Sequence, residues 1–160
     1  MTIAVGDKLP EATLVEMTAE GPAPRTTEDI FKGRKVALFS VPGAFTPTCS
    51  AKHLPGFINQ ADAFKAKGVD EIVCIAVNDA FVMGAWGAAQ NAGGKVSMLA
   101  DGNGDFSRAL GLEMDGKAYG MGMRGQRFSI IVEDGTVTSL NVEGPGEFHV
   151  SSADHMLTQL

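Results

Sequence analysis

The chain has 160 residues and a mass of 16.7 kDa, one domain's worth of polypeptide. Its 44% hydrophobic and 20% charged content is ordinary globular usage, which excludes disorder as the main state. Thirteen Lys and Arg against 19 Asp and Glu leave a formal charge of −6 and no basic stripe, so neither nucleic acid nor an anionic membrane surface is an expected partner.

The opening stretch MTIAVGDKLPEATLVE carries acidic residues and no long apolar run, unlike a secretory signal, and no later run approaches the roughly 20 apolar residues of a membrane span. Residues 12–16 predict a strand, 27–31 a short helix and 35–41 a buried strand, with Gly21 to Pro24 read as a loop. A long helix is expected over 48–67, where Leu54, Phe57, Ile58, Ala61 and Phe64 repeat at helical spacing. Pro55 should kink it and Gly68 end it. The apolar, β-branched run 71–77 suits a central parallel strand covered on both faces. A helix over 80–91 follows, capped by Asn78 or Asp79 and closed by Gly93-Gly94, then a strand over 96–100 and a helix over 104–110. RFSIIVE, Asp134-Gly135 and TVTSLNV spell a β-hairpin with a type I′ turn, and the last ten residues read as a capped helix. The order describes an α/β sandwich with a central mixed sheet, of which thioredoxin-like folds are one example; a single domain spans 1–160.

The chemistry concentrates in Val41-Pro42-Gly43-Ala44-Phe45-Thr46-Pro47-Thr48-Cys49, between a strand end and a helix start. Thr46 fits an N-cap and Pro47 the first helical position, which sets Cys49 in the first turn, where unpaired N–H groups and the helix dipole favour a thiolate. Thr46 can also hold an incoming oxygen. His53, one turn on, can handle a proton or position a neighbour. Arg127 alternates with Ser129 and Ile131 and is a candidate positive partner for the sulfur, although spacing alone does not bring the two together. Cys74, inside the apolar strand, reads as buried and inert, and no Cys49–Cys74 disulfide is expected. His149 and His155 have no metal-ligand spacing with His53. The GMGMRG segment matches GxGxxG only formally, because it precedes a strand rather than joining a strand to a helix. Trp86 and Phe81 read as core.

VPGAFTPTCSAKHLPGF resembles the peroxidatic-cysteine signature of peroxiredoxins, Pro-x-x-x-Thr-x-x-Cys, met by Pro42, Thr46 and Cys49. GDKLPEATL, FKGRKVALFS, KAKGVDEIVCIAVNDAFVMGAWG, SMLAD and RFSIIVEDG extend the resemblance, in collinear order over most of the chain, to the type II, peroxiredoxin-5-like branch. The resemblance implies a thioredoxin-like fold and a thiol peroxidase acting on hydrogen peroxide and small organic hydroperoxides. It makes Cys49 the nucleophile, Thr46 a peroxide donor, Arg127 a stabiliser of thiolate and transition state, and Pro42 a shield over the sulfur. Some relatives carry a resolving cysteine near the C-terminus, where this chain has Val150 within GEFHVSSADHML. That implies an external thiol, glutathione with glutaredoxin or else thioredoxin, with no organic cofactor or metal. Homodimers through Phe45 or its neighbours are expected by analogy, and a reducing compartment, the cytosol, fits the cysteine usage. Two other readings stay open: a cysteine hydrolase with His53 as base, and a redox sensor or holdase that is oxidised once.

Overall fold

The computed structural model describes residues 1–160. Its strands are β1 (Thr13–Thr18), β2 (Gly21–Thr26), β3 (Lys35–Ser40), β4 (Glu71–Ala76), β5 (Ser97–Ala100), β6 (Glu113–Asp115), β7 (Met123–Gly125), β8 (Phe128–Glu133) and β9 (Thr136–Val142). Its helices are α1 (Thr27–Phe31), α2 (Leu54–Asn59), α3 (Ala61–Ala66), α4 (Ala80–Gln90), α5 (Asp105–Ala109) and α6 (Ala153–Leu157). Seven strands form a mixed sheet in the order β2-β1-β5-β4-β3-β8-β9. The apolar run of β4 lies at its centre, parallel to β3 and to β5. Alternate residues then feed two cores. Ala37, Phe39, Cys74 and Ile131 pack with Phe57, Phe64 and Trp86 on one face; Val36, Leu38, Val73 and Ile75 pack with Leu14, Phe31 and Phe106 on the other.

The hairpin forms as expected: Asp134 and Gly135 both have positive φ, 48° and 77°, which a type I′ turn requires. Gly21 to Pro24 is not a loop but the start of β2. Pro22 and Pro24 are tolerated there because β2 is an edge strand, whose outer N–H groups need no partner. Asn91, left-handed at φ 59°, closes α4 in place of the glycine pair. Phe81 is 68% exposed rather than core, whereas Trp86 is fully buried.

The long helix is interrupted where it begins and again midway. Helical residues start at Pro47, and Cys49–His53 form a π-helical turn in which the Leu54 N–H reaches back to Cys49 O. Pro55 explains the widening: it has no N–H for the Ala51 carbonyl, and its ring would press on that oxygen in a tighter turn. Gln60, at φ −109° and ψ 15°, then separates α2 from α3. Residues 113–125 fold as a small second sheet, β6 with β7, around a 3₁₀ turn at Lys117–Tyr119.

Glu71 opens β4 between three donors. Arg25 Nη1 and Nη2 meet its two oxygens at 2.8 and 3.0 Å, Arg34 Nη1 donates at 2.8 Å, and the Ser97 hydroxyl donates as well. Burial pushes this carboxyl up, but the hydrogen bonds from Arg25, Ser97 and Arg34 outweigh it and hold the pKa down at about 2. A carboxylate depressed in the folded state stabilises above its unfolded pKa of roughly 4.3, and that stability is lost as pH falls toward the folded value. Glu71→Gln is therefore expected to lower the urea midpoint at neutral pH, with the gap to wild type narrowing between about pH 5 and pH 3. A constant gap would contradict this account of Glu71.

Candidate active site

Three elements converge where β3 ends. The chain leaves β3 through Val41, whose N–H donates to Ile75 O at 3.1 Å, and turns at Gly43 to Thr46. Gly43 sits in a tight spot: a Cβ there would lie 3.1 Å from Arg124 Nη1 and 3.2 Å from Thr46 Cγ2, so those side chains would have to give by a few tenths of an ångström. Phe45 is left-handed at φ 64°, a conformation costing a bulky residue of order 1–3 kcal/mol, and its ring is turned outward. Two side chains hold the turn in place. Asn78 Oδ1 accepts from Ala44 N–H at 3.0 Å, and Arg124 Nη1 donates to Pro42 O at 3.3 Å while its Nε donates to Met121 O at 2.9 Å.

Cys49 is third in the helix, as its spacing predicts, and fully buried. The Thr46 hydroxyl does not cap the helix. It lies 2.7 Å from Gly43 O and 2.8 Å from Cys49 Sγ, and with one proton it can donate to only one of them at a time. Arg127 stands just before β8, on the face alternation assigns it, and its Nη2 donates to Cys49 Sγ at 3.0 Å. The hairpin thus delivers the cation that spacing alone could not bring to the sulfur. Arg127, a charged donor, and the Thr46 hydroxyl, which donates when its proton turns from Gly43 O, both face Sγ, an arrangement that stabilises negative charge on sulfur or on an oxygen bound beside it.

His53 is fully buried, and both ring nitrogens are occupied: Nε2 lies 2.9 Å from Ser151 O, and Nδ1 lies 2.8 Å from Arg127 Nη1. It therefore faces no substrate, contrary to its expected binding role. Burial first, then the Arg127 charge, pushes its pKa down to about 3, so the ring is neutral at physiological pH. With its only lone pair engaged by Arg127, His53 has no site for general-base work, which removes the basis of the hydrolase reading.

Outside these groups a cavity of about 720 Å³ opens to solvent, lined by Pro42, Thr46, Arg127, Met114, Met121 and Glu143 among others. Thr46 and Arg127, which touch the sulfur, also line this space with Pro42, and the small β6–β7 sheet and its turn supply the methionine side. Cys74, in β4, is fully buried, and burial pushes its thiol well up; both cysteines are free. No three His, Cys, Asp or Glu side chains cluster as metal ligands. Arg124, Ser151 and Glu143 escaped sequence reasoning. Arg124 lies in a glycine-rich segment that matched only a rejected motif, and the other two act through contacts formed after the chain has passed around the sheet.

A redoxin family model matches residues 4–157. The chain is 50% identical over 160 residues to Peroxiredoxin-2B of Arabidopsis thaliana, covering 99% of this chain and 98% of that one. Among solved structures, reduced Prx3 from Vibrio vulnificus in complex with hydrogen peroxide is 54% identical, with a TM-score of 0.95 and 99% of each chain covered. Peroxiredoxin 5 from Alvinella pompejana is 37% identical with a TM-score of 0.85, covering 98% of this chain and 96% of its own. With a thioredoxin-like fold, a Pro-Thr-Cys turn and an arginine on the sulfur, the chain belongs to the redoxin family as a type II peroxiredoxin, a peroxidase that uses a thiol reductant.

Proposed function

We propose that this chain is a one-cysteine peroxidase for hydrogen peroxide and small organic hydroperoxides, with Cys49 as nucleophile and an external thiol as reductant. The observation that carries the assignment is the pair of donors, Thr46 Oγ1 at 2.8 Å and Arg127 Nη2 at 3.0 Å, on a single sulfur. The Cys49 thiolate attacks one peroxide oxygen; the S–O bond forms as the O–O bond breaks, and sulfur is oxidised as peroxide is reduced. Arg127 and Thr46 stabilise the charge developing on the departing oxygen, which leaves as water or an alcohol after taking a proton. Cys49 becomes a sulfenic acid. A first thiol condenses with it, releasing water and leaving a mixed disulfide, and a second thiol attacks that disulfide and restores Cys49. Pro42 shields the sulfur from the cavity.

Substrate choice draws support from the hydrogen peroxide complex of the Vibrio vulnificus relative. The external reductant draws support from Val150, where some relatives have a resolving cysteine, and from the burial of Cys74. Glutathione with glutaredoxin is the assigned reductant and thioredoxin the alternative, in a reducing compartment such as the cytosol. No metal or organic cofactor takes part in this scheme. Dimerisation fits Phe45 and Phe81, 55% and 68% exposed, on segments joined by the Ala44–Asn78 hydrogen bond. Steady-state peroxide consumption tests the reading: many turnovers per chain with glutathione and glutaredoxin are expected. One turnover with every thiol system would instead favour a sensor, and native mass spectrometry of the same sample is expected to give twice the 16.7 kDa chain mass.

A further inference from the structure

The loop between β9 and α6 meets the active site through the Phe148 ring and through a set of hydrogen bonds, and one side chain organises the hydrogen bonds. Glu143 follows β9, and its N–H donates to Arg127 O at 3.0 Å, so the two residues face each other across the end of the hairpin. Its carboxylate turns inward. A single oxygen, Oε2, accepts from three successive backbone N–H groups, His149 at 2.8 Å, Val150 at 2.9 Å and Ser151 at 2.8 Å, and from the Ser151 hydroxyl at 2.6 Å. Burial opposes the charge, but these donors hold the carboxyl below its ordinary range. The segment they bind lies outside any regular element, so its backbone position depends on this carboxylate.

The consequence passes along a chain of groups with no freedom of direction. The Ser151 carbonyl can only accept, so His53 Nε2 must carry the proton; the Arg127 guanidinium can only donate, so His53 Nδ1 must present its lone pair. One neutral tautomer satisfies both partners. It anchors Nη1 of Arg127 and leaves Nη2 of the same rigid fork aimed at Cys49 Sγ. Phe148, from the same loop, lies under the guanidinium with its ring centroid 5.8 Å from Cζ.

We infer that Glu143 is a positioning residue of the peroxidase site, fixing the Ser151 carbonyl that locks His53 in the tautomer which aims Arg127 at Cys49. The inference rests on the proposed role of Cys49, and its test needs no peroxide. In Glu143→Gln, shown to be folded by circular dichroism, Cys49 is expected to react with iodoacetamide at neutral pH about tenfold more slowly, as for loss of a supporting hydrogen-bond partner. The ¹⁵N shifts of His53 are expected to move from a pure Nε2–H pattern to a mixture, and Glu143→Asp should recover part of both. In a His53→Phe background, Glu143→Gln should change the alkylation rate no further, because the route through the ring is gone. The inference is overturned by an unchanged ¹⁵N pattern with alkylation within twofold of wild type, or by an equal loss in the His53→Phe background. Failure of both Glu143 variants to fold would overturn it too, by assigning the residue to folding alone. Wild-type peroxide turnover, measured separately, reports on the peroxidase reading itself.

Discussion

Cys49→Ser is expected to reduce peroxide consumption to the uncatalysed background, while Cys74→Ser keeps most of it. The difference follows from surroundings rather than residue type. Cys49 Sγ has Thr46 and Arg127 as donors and the cavity beyond them, whereas Cys74 is sealed in the central strand opposite Phe39, its thiol pushed up by burial. A serine hydroxyl at position 49 stays protonated and is a poor nucleophile toward a peroxide oxygen, so geometry alone cannot rescue the reaction. The Cys74 change should register instead in stability, because a hydroxyl without a partner in that strand costs about 1–3 kcal/mol. Peroxide consumption at saturating reductant, with urea midpoints for both variants, checks the pair; equal activity losses would contradict the one-cysteine mechanism.

Arg127→Met is the second large effect. Removing a charged donor aimed at the reacting centre costs on the order of 10²–10³ in rate, or about 3–4 kcal/mol of transition-state stabilisation. The loss should fall on the second-order rate constant for peroxide, with the reductant step much less affected. Arg127→Lys should recover only a small part. A lysine nitrogen is one compact group, whereas the guanidinium places Nη1 on His53 and Nη2 on Cys49 simultaneously, at 2.8 and 3.0 Å. Stopped-flow measurement of peroxide reduction by the two variants checks this, and a Met variant within twofold of wild type would contradict the assigned role.

The sequence was most informative where local chemistry decides the outcome. The Asp134-Gly135 turn, the apolar β4 and the helix start at Pro47 each follow from residues next to one another, and the structure bears them out. Errors arose where context outside the window governs. Pro22 and Pro24 argue for a loop until β2 proves to be an edge, and Pro55 argues for a kink until the turn ahead of it widens instead. Phe81 has core chemistry but an exposed position on the first turn of α4. The site divides the same way. Pro42, Thr46 and Cys49 lie within one eight-residue segment and are legible there, and alternation gave Arg127 its face. The partners of His53, however, come from positions 127 and 151, which only the completed sheet brings together. Its assignment as a substrate-binding group failed for that reason: the residue is sealed, and its influence passes through Arg127.

The most direct measurement is the intact mass of the wild-type chain and Cys49→Ser, taken within seconds of adding one equivalent of hydrogen peroxide, with and without glutathione. One oxygen is expected on wild type alone, located at Cys49, and it should be replaced by a glutathione adduct when glutathione is present. Loss of two hydrogens without any adduct would mean a Cys49–Cys74 disulfide and contradict the external-thiol mechanism; oxidation persisting in Cys49→Ser would contradict Cys49 as the nucleophile.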